Sequence, residues 1–420
     1  MGQWLKYVLI GLGIRLALAP FFMHAWDVGT IQESSQQFLA GVDVYRYVAI
    51  NSDLLREGTG LPFFYYGFAY PAQTLLVYAP FYWIYSRFFS DPTAIEWYND
   101  PLRLQSFTIR YPQIYHFLFW MKLPVILCDV AVIYLLTQRN QRMGLFYALN
   151  PYVILITAIW GTWDPMVGFF LLASYLSFKE RKELSGFLYG LSLMKIYTIV
   201  LLGVFVARLV KDRGGLARFL FGLSLSSTPN LYYLATSPSF VDAFLFQGTR
   251  PVNGINIYSV ALFAQGVFFQ TAISRVATLA LAIAVVATTY VTNRRGVPML
   301  NSLIMLTLSY FIFAPVTNEQ YLASLLPLGL LSPRFNKNLY VFPLFFIALH
   351  STYLYFATPI FWVNEPIHAL WSQAHEGWKS LMATHSFSNY VRYFLSLSLA
   401  FLAFRNLLQL SCPEKQKILT

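Results

Sequence analysis

The sequence has little charge and almost no cysteine. Charged residues make up 11% of its 420 positions, where a soluble domain carries about 25%. With 57% hydrophobic and 18% aromatic residues and a mean hydropathy of +0.53, the apolar side chains exceed what soluble cores of this size could hide. An ordinary soluble protein is excluded, and lipid is the solvent this composition demands. Cys128, in an apolar run, and Cys412, in the tail, supply neither a disulfide framework nor metal-ligand spacing. His368, His375 and His385 are not spaced to hold a metal either. There is no P-loop, dinucleotide fingerprint, Ser/His/Asp or Cys/His signature, or internal repeat. Met1-Gly2 lacks the Ser or Thr at position 6 that myristoylation requires. Acids are scarce as well: 18 Asp and Glu against 29 Lys and Arg leave a net charge of +11. The basic residues do not cluster on a soluble-looking surface, so membrane topology, not nucleic acid, is the use they suit.

What is present is a series of apolar stretches near bilayer-crossing length, at about 5–23, 117–137, 144–160, 164–178, 215–236, 271–292, 298–315, 339–357 and 389–410. Lys6 and Ala17-Leu18-Ala19 would also fit a signal peptide, but the apolar run continues through Met23 and many spans follow. Short basic loops set the orientation: Arg139/Arg142, Lys179/Arg181/Lys182, Arg208/Lys211/Arg213/Arg218, Arg294/Arg295, Arg334/Lys337 and Lys415/Lys417 are assigned to the cytoplasmic side. The stretch 185–210 then reads as two short helices that climb to Lys195 and return. Residues 320–332 read as a short crossing broken by Pro327 and Pro333. The expected fold is all-α, one integral membrane domain over residues 1–420, a polytopic bundle of about twelve spans with both termini cytoplasmic.

Segment 67–88 is apolar enough to span, yet counting it would invert every later loop. Its Tyr and Trp content and two prolines suit a helix lying in the outer interface. Residues 24–116 become a first outer loop with juxtamembrane helices, and 237–270 and 358–388 two further outer loops. Long, aromatic, carboxylate-bearing loops on one face point to chemistry there. A transporter with incidental loops is the bland alternative.

Ionisable residues inside a membrane are costly and are usually functional or paired. Lys195 has no acidic residue three or four positions away, so it is either a snorkelling side chain or an ammonium held for a phosphate. Lys122 and Asp129 share a helix face and read as structural, tied to other helices. Asp27 directly follows the first stretch and is placed like a general base, or equally like the N-cap of a helix over Val28 to Leu39. Asp164, in Trp160-Gly-Thr-Trp163-Asp164-Pro165, ends one stretch and opens the next; a helix start is its plainer reading. Arg250, in a polar island ending Asn253-Gly254, could match a phosphate bidentately.

In order along the chain stand Asp27, then Gly41-Val-Asp43-Val-Tyr45-Arg46, Tyr70-Pro71-Ala72 and Lys122-Leu-Pro to Asp129. After them come Leu149-Asn150-Pro151 to Trp160-Gly-Thr-Trp163-Asp164, Met194-Lys195-Ile196-Tyr197, Arg250-Pro-Val-Asn253, and Thr317-Asn-Glu-Gln320-Tyr321. This succession, over about residues 15–330, resembles the GT-C polyprenyl-phosphate-sugar glycosyltransferases, and is similar to the family of the catalytic subunit of GPI mannosyltransferase I with its prokaryotic relatives. The resemblance implies a GT-C membrane bundle that uses a lipid-phosphate sugar on the outer or lumenal face. It implies Asp27 as the base, with Lys195 and Arg250 on the donor phosphate. Asp43, Tyr70, Asp164, Tyr197, Asn253, Gln320 and Tyr321 are further site candidates. Where that family carries Asp-x-Asp, this chain has Asp27-Val-Gly29, so a divalent metal is unsupported and no cofactor is expected. A Tyr-Thr-Pro-Leu type run is replaced by Tyr70-Pro71-Ala72, so acceptor preference need not follow.

The expected activity is inverting transfer of a hexose, mannose foremost, from a dolichyl or polyprenyl monophosphate to a lipid-linked glycan or glycolipid acceptor. The expected location is a prokaryotic cell membrane with the site facing outward, with membrane lipids and no nucleic acid as partners. The alternative is a carrier or flippase for a lipid-linked sugar.

Overall fold

The computed structural model describes residues 3–46, 68–89, 113–249, 252–254, 256–258, 267–340, 356–357 and 385–411. Within them the chain is helical, with only two-residue strands. Helix α1 (Gln3–Leu18) runs into a 3-10 turn, Ala19–Phe21, and strand β1 (Met23–His24) leads to α2 (Ala25–Leu39). Then come α3 (Gln73–Phe88), α4 (Gln113–Arg139), α5 (Gln141–Ala148) and α6 (Pro151–Trp160). They are followed by α7 (Asp164–Ser177), α8 (Lys182–Ser192), a 3-10 segment Ile196–Leu201, and α9 (Leu202–Leu209). Next are α10 (Arg213–Ser226), α11 (Thr228–Thr236), α12 (Phe240–Thr249) and β2 (Asn253–Gly254). The last part holds α13 (Val267–Arg294), α14 (Met299–Phe313), β3 (Val316–Thr317), α15 (Leu322–Leu331), β4 (Phe356–Ala357) and α16 (His385–Ser411).

Among the described residues four helical stretches, Trp4–Phe21, Tyr115–Arg139, Ala272–Arg294 and Tyr393–Ser411, are long and apolar enough to cross a membrane; α5 with α6 makes five if that bent pair counts as one. Other expected crossings are shorter apolar helices, such as Ile196–Leu209 and Met299–Phe313. Most of 339–357 and nearly all of the last outer loop lie outside the described residues.

Local chemistry explains where the helices divide. Between α5 and α6 the axis turns by 49° at Asn150, whose side chain accepts from Tyr152 N and Val153 N and caps the new helix. The expected single stretch 144–160 is therefore two helices. Stretch 215–236 divides at Ser227, because Pro229 suits the start of a helix better than its interior. At Pro327 the expected break does not occur. Helix α15 passes through it, fully buried from Leu322 to Leu330, so surrounding packing offsets the one hydrogen bond the proline removes.

Helices α8 and α10 approach closely through small residues. A Cβ on Gly186 would fall 1.9 Å from Phe219 O, one on Gly222 1.9 Å from Glu183 O, and one on Gly190 1.9 Å from Ser226 Oγ. Such small-residue seams bring backbones together where lipid provides no hydrophobic drive. On the other side of the core a buried network joins α1, α4, α5 and α6. Arg15 pairs with Asp129 and donates to Gly11 O and Ala148 O, while Asp129 accepts from Tyr147 and Thr157.

Candidate functional site

The loop between α6 and α7 organises the site. The last turn of α6, Leu155–Trp160, is a π-helix, which widens the backbone and is frequent at functional positions. It ends on Gly161 at φ 84°, a left-handed conformation that glycine adopts without strain. The chain turns there, and Trp160, Thr162, Trp163 and Asp164 are buried.

Asp27 is 4% exposed and accepts a 2.6 Å hydrogen bond from the Trp160 indole Nε1. It is in the first turn of α2, since that helix begins at Ala25, and so is not the N-cap. The partial positive charge of a helix N-terminus favours a carboxylate there. Asp164 is the first residue of α7, fully buried, and accepts from Thr162 Oγ1 at 2.9 Å and Tyr197 OH at 3.3 Å.

Lys195 has a partner that sequence spacing could not supply. It sits in the extended break between α8 and the 3-10 segment, 4% exposed, with Nζ 3.4 Å from Asp164 Oδ2. Three aromatic faces surround the ammonium, with ring centroids at 4.3 Å for Trp163 and 5.3 Å each for Tyr70 and Tyr321. Cation–π attraction to such faces is worth about 2 kcal/mol when desolvated. Asp27 is within electrostatic reach of both Lys195 and Asp164.

Tyr197 and Tyr321 stack at 4.7 Å, and Tyr197 OH also meets Ser324 Oγ at 2.8 Å. The Tyr70 ring meets Trp163 edge-on at 4.8 Å, and its carbonyl accepts from Tyr45 OH at 2.7 Å. Burial pushes the Tyr45 phenol well above its usual pKa, with Tyr233 and Asp43 adding to the effect, so it remains a donor. Gln320 is buried as well.

Asp43 is part-buried. Its carboxylate accepts from Tyr45 N and, at 2.7 Å, from Ser237 Oγ, fastening the segment after α2 to the C-terminal cap of α11. Arg250 and the Asn253 side chain lie outside the described residues. The backbone of β2 pairs in parallel with β3, Asn253 against Val316 and Gly254 against Thr317, and so runs beside the Glu319–Tyr321 turn.

Trp160, Thr162, Trp163 and Ser324 carry site contacts that sequence reasoning did not assign. The run Trp160-Gly-Thr-Trp was visible, and a glycine between two polar-edged aromatics just before an acid was the usable signal. Among the described residues no group of three His, Cys, Asp or Glu side chains could hold a metal ion. No protein-family model and no curated protein matches the chain.

Proposed function

We propose that this protein transfers a hexose, mannose foremost, from a dolichyl or polyprenyl monophosphate to a hydroxyl of a lipid-linked glycan or glycolipid. The observation that supports this most is one buried ammonium, Lys195, paired with the Asp164 carboxylate, ringed by aromatic faces and within electrostatic reach of Asp27. Asp27 takes the proton of the acceptor hydroxyl as its oxygen bonds to the anomeric carbon. The anomeric carbon–oxygen bond to phosphate breaks, and the lipid monophosphate leaves with the bonding electrons. A single displacement of this kind inverts the anomeric configuration, unlike the double displacement of a retaining pair. Lys195 faces the charge that grows on the departing phosphate, and Arg250 joins it in this reading. Asp164, braced by Thr162 and Tyr197, holds Lys195 in place. Tyr70, Trp163 and Tyr321 hold the ammonium in place through their ring faces.

In this reading the chain is a GT-C bundle of about twelve spans, with the site on the outward face of a prokaryotic membrane. Segments on the side assigned as outer meet one another in support of this: Asp43 with Ser237, and β2 with β3 in the short connection between stretch 298–315 and crossing 320–332. Segments assigned to inner loops also meet, as where Arg208 donates to Val297 O.

Purified protein in proteoliposomes, supplied with radiolabelled hexosyl polyprenyl phosphate and glycolipid acceptors, tests the proposal. Label is expected in the acceptor fraction, with release of polyprenyl phosphate. Lipid-phosphate hexose that changes leaflet without any transfer would establish a carrier instead.

A further inference from the structure

Lys122, on α4, is a fully buried cation that the proposed chemistry leaves unused. Its Nζ lies 3.0 Å from Ala19 O, 2.8 Å from Ala158 O and 3.2 Å from Ile159 O, and also against Phe22 O. All four are main-chain carbonyls at the ends of two helical segments, the 3-10 turn after α1 and the π-turn of α6. Terminal carbonyls carry partial negative charge and lack partners in their own helix. One ammonium with three donors answers both sets at once.

The stem of Lys122 has room only because residue 161 is glycine. A Cβ there would stand 2.7 Å from Lys122 Cε and 3.1 Å from its Cγ, and the left-handed φ of 84° already excludes other residues without strain. The two segments that the ammonium joins lead directly into the site. Phe22 precedes β1 and Asp27, and Ile159 precedes Trp160, whose indole donates to Asp27. Thr162, donor to Asp164, follows one residue beyond Gly161.

We propose that Lys122 is a positioning residue that fixes these two segments against each other, so that the Trp160 indole meets the Asp27 carboxylate. Its part in transfer rests on the function proposed above; its part in the geometry does not. Replacement by methionine conserves volume but leaves buried carbonyls without their donor, and such groups seek partners elsewhere. The segments then separate, and the indole–carboxylate bond lengthens.

The test uses full-length protein with 15N-labelled tryptophan in nanodiscs, with the Trp160 indole resonance assigned by its loss in Trp160→Phe. In Lys122→Met that resonance is expected to move upfield. Transfer kcat should fall by about 10²-fold, as a misplacement of about 1 Å can cause, while the donor KM stays within about twofold, since donor binding is not what is lost. Lys122→Met and Trp160→Phe combined should cost much less than the product of their separate effects, because both act on one bond. Should Lys122→Met not fold, Lys122→Gln, which keeps a side-chain N–H donor but loses the ammonium, is expected to shift the same resonance in the same direction. An unmoved Trp160 resonance in the folded variant overturns the proposal, and so does a wild-type kcat despite a shift. A wild type that transfers nothing removes the transferase reading, and the resonance alone then decides whether Lys122 sets the pair.

Discussion

Asp164 and Lys195 are both buried, at 0% and 4% exposure, and each compensates the other's charge. A charge left alone in such surroundings is expensive, and breaking a buried pair from one side typically costs about 3–5 kcal/mol. Asp164→Asn is therefore expected to destabilise the protein by about 3 kcal/mol, and Lys195→Met combined with it should recover part of that loss. Unfolding of the two variants in mild detergent checks this; equal stability of Asp164→Asn and wild type would mean that the aromatic rings alone suffice for the ammonium. The sequence marked both residues as worth attention but could not join them. Neither has an opposite charge within a helical turn, so their pairing comes from the turn at Gly161 and the break at Lys195. The same holds for Trp160 and Asp27, which are 133 positions apart along the chain and meet only in the folded molecule.

At the scale of elements, apolar length located the long helices well, because a run of apolar residues and a helix across lipid obey the same length rule. Breaks were harder to place. Asn150 caps a helix within what reads as one apolar run, and Pro327, a formal breaker, is carried inside one. Both outcomes depend on what surrounds the backbone: a side-chain acceptor in one case, complete burial in the other. The α8–α10 seam makes a sharper claim. Gly186→Ala and Gly222→Ala each place a methyl group against backbone and should destabilise by about 1–3 kcal/mol, the usual cost of overpacking. Gly13→Ala, where no atom lies within 4 Å of a new Cβ, should be neutral or slightly stabilising through helix propensity. Thermal unfolding of the three variants separates these outcomes, and an unchanged midpoint for both seam variants would show that the helices yield.

The whole molecule gathers its site from segments that are remote in sequence. The start of α2, the approach to α3, the α6–α7 loop, the break before the 3-10 segment and the turn before α15 all converge around Lys195. Composition announced lipid, and the ordered motifs suggested a site, but only packing could bring Tyr70, Asp164, Lys195 and Tyr321 onto one centre and join Asp43 to Ser237. That convergence is what the proposed chemistry requires: a base for the acceptor hydroxyl within reach of a cation for the leaving phosphate. The most direct measurement is hexose transfer by Asp27→Asn beside the wild type, each reconstituted with a radiolabelled lipid-phosphate hexose and matched for unfolding temperature. Loss of a general base typically lowers the rate by about 10²–10⁴-fold; a fall of that size, with polyprenyl phosphate binding retained, is the predicted result. Transfer at the wild-type rate by a folded Asp27→Asn protein would contradict the account.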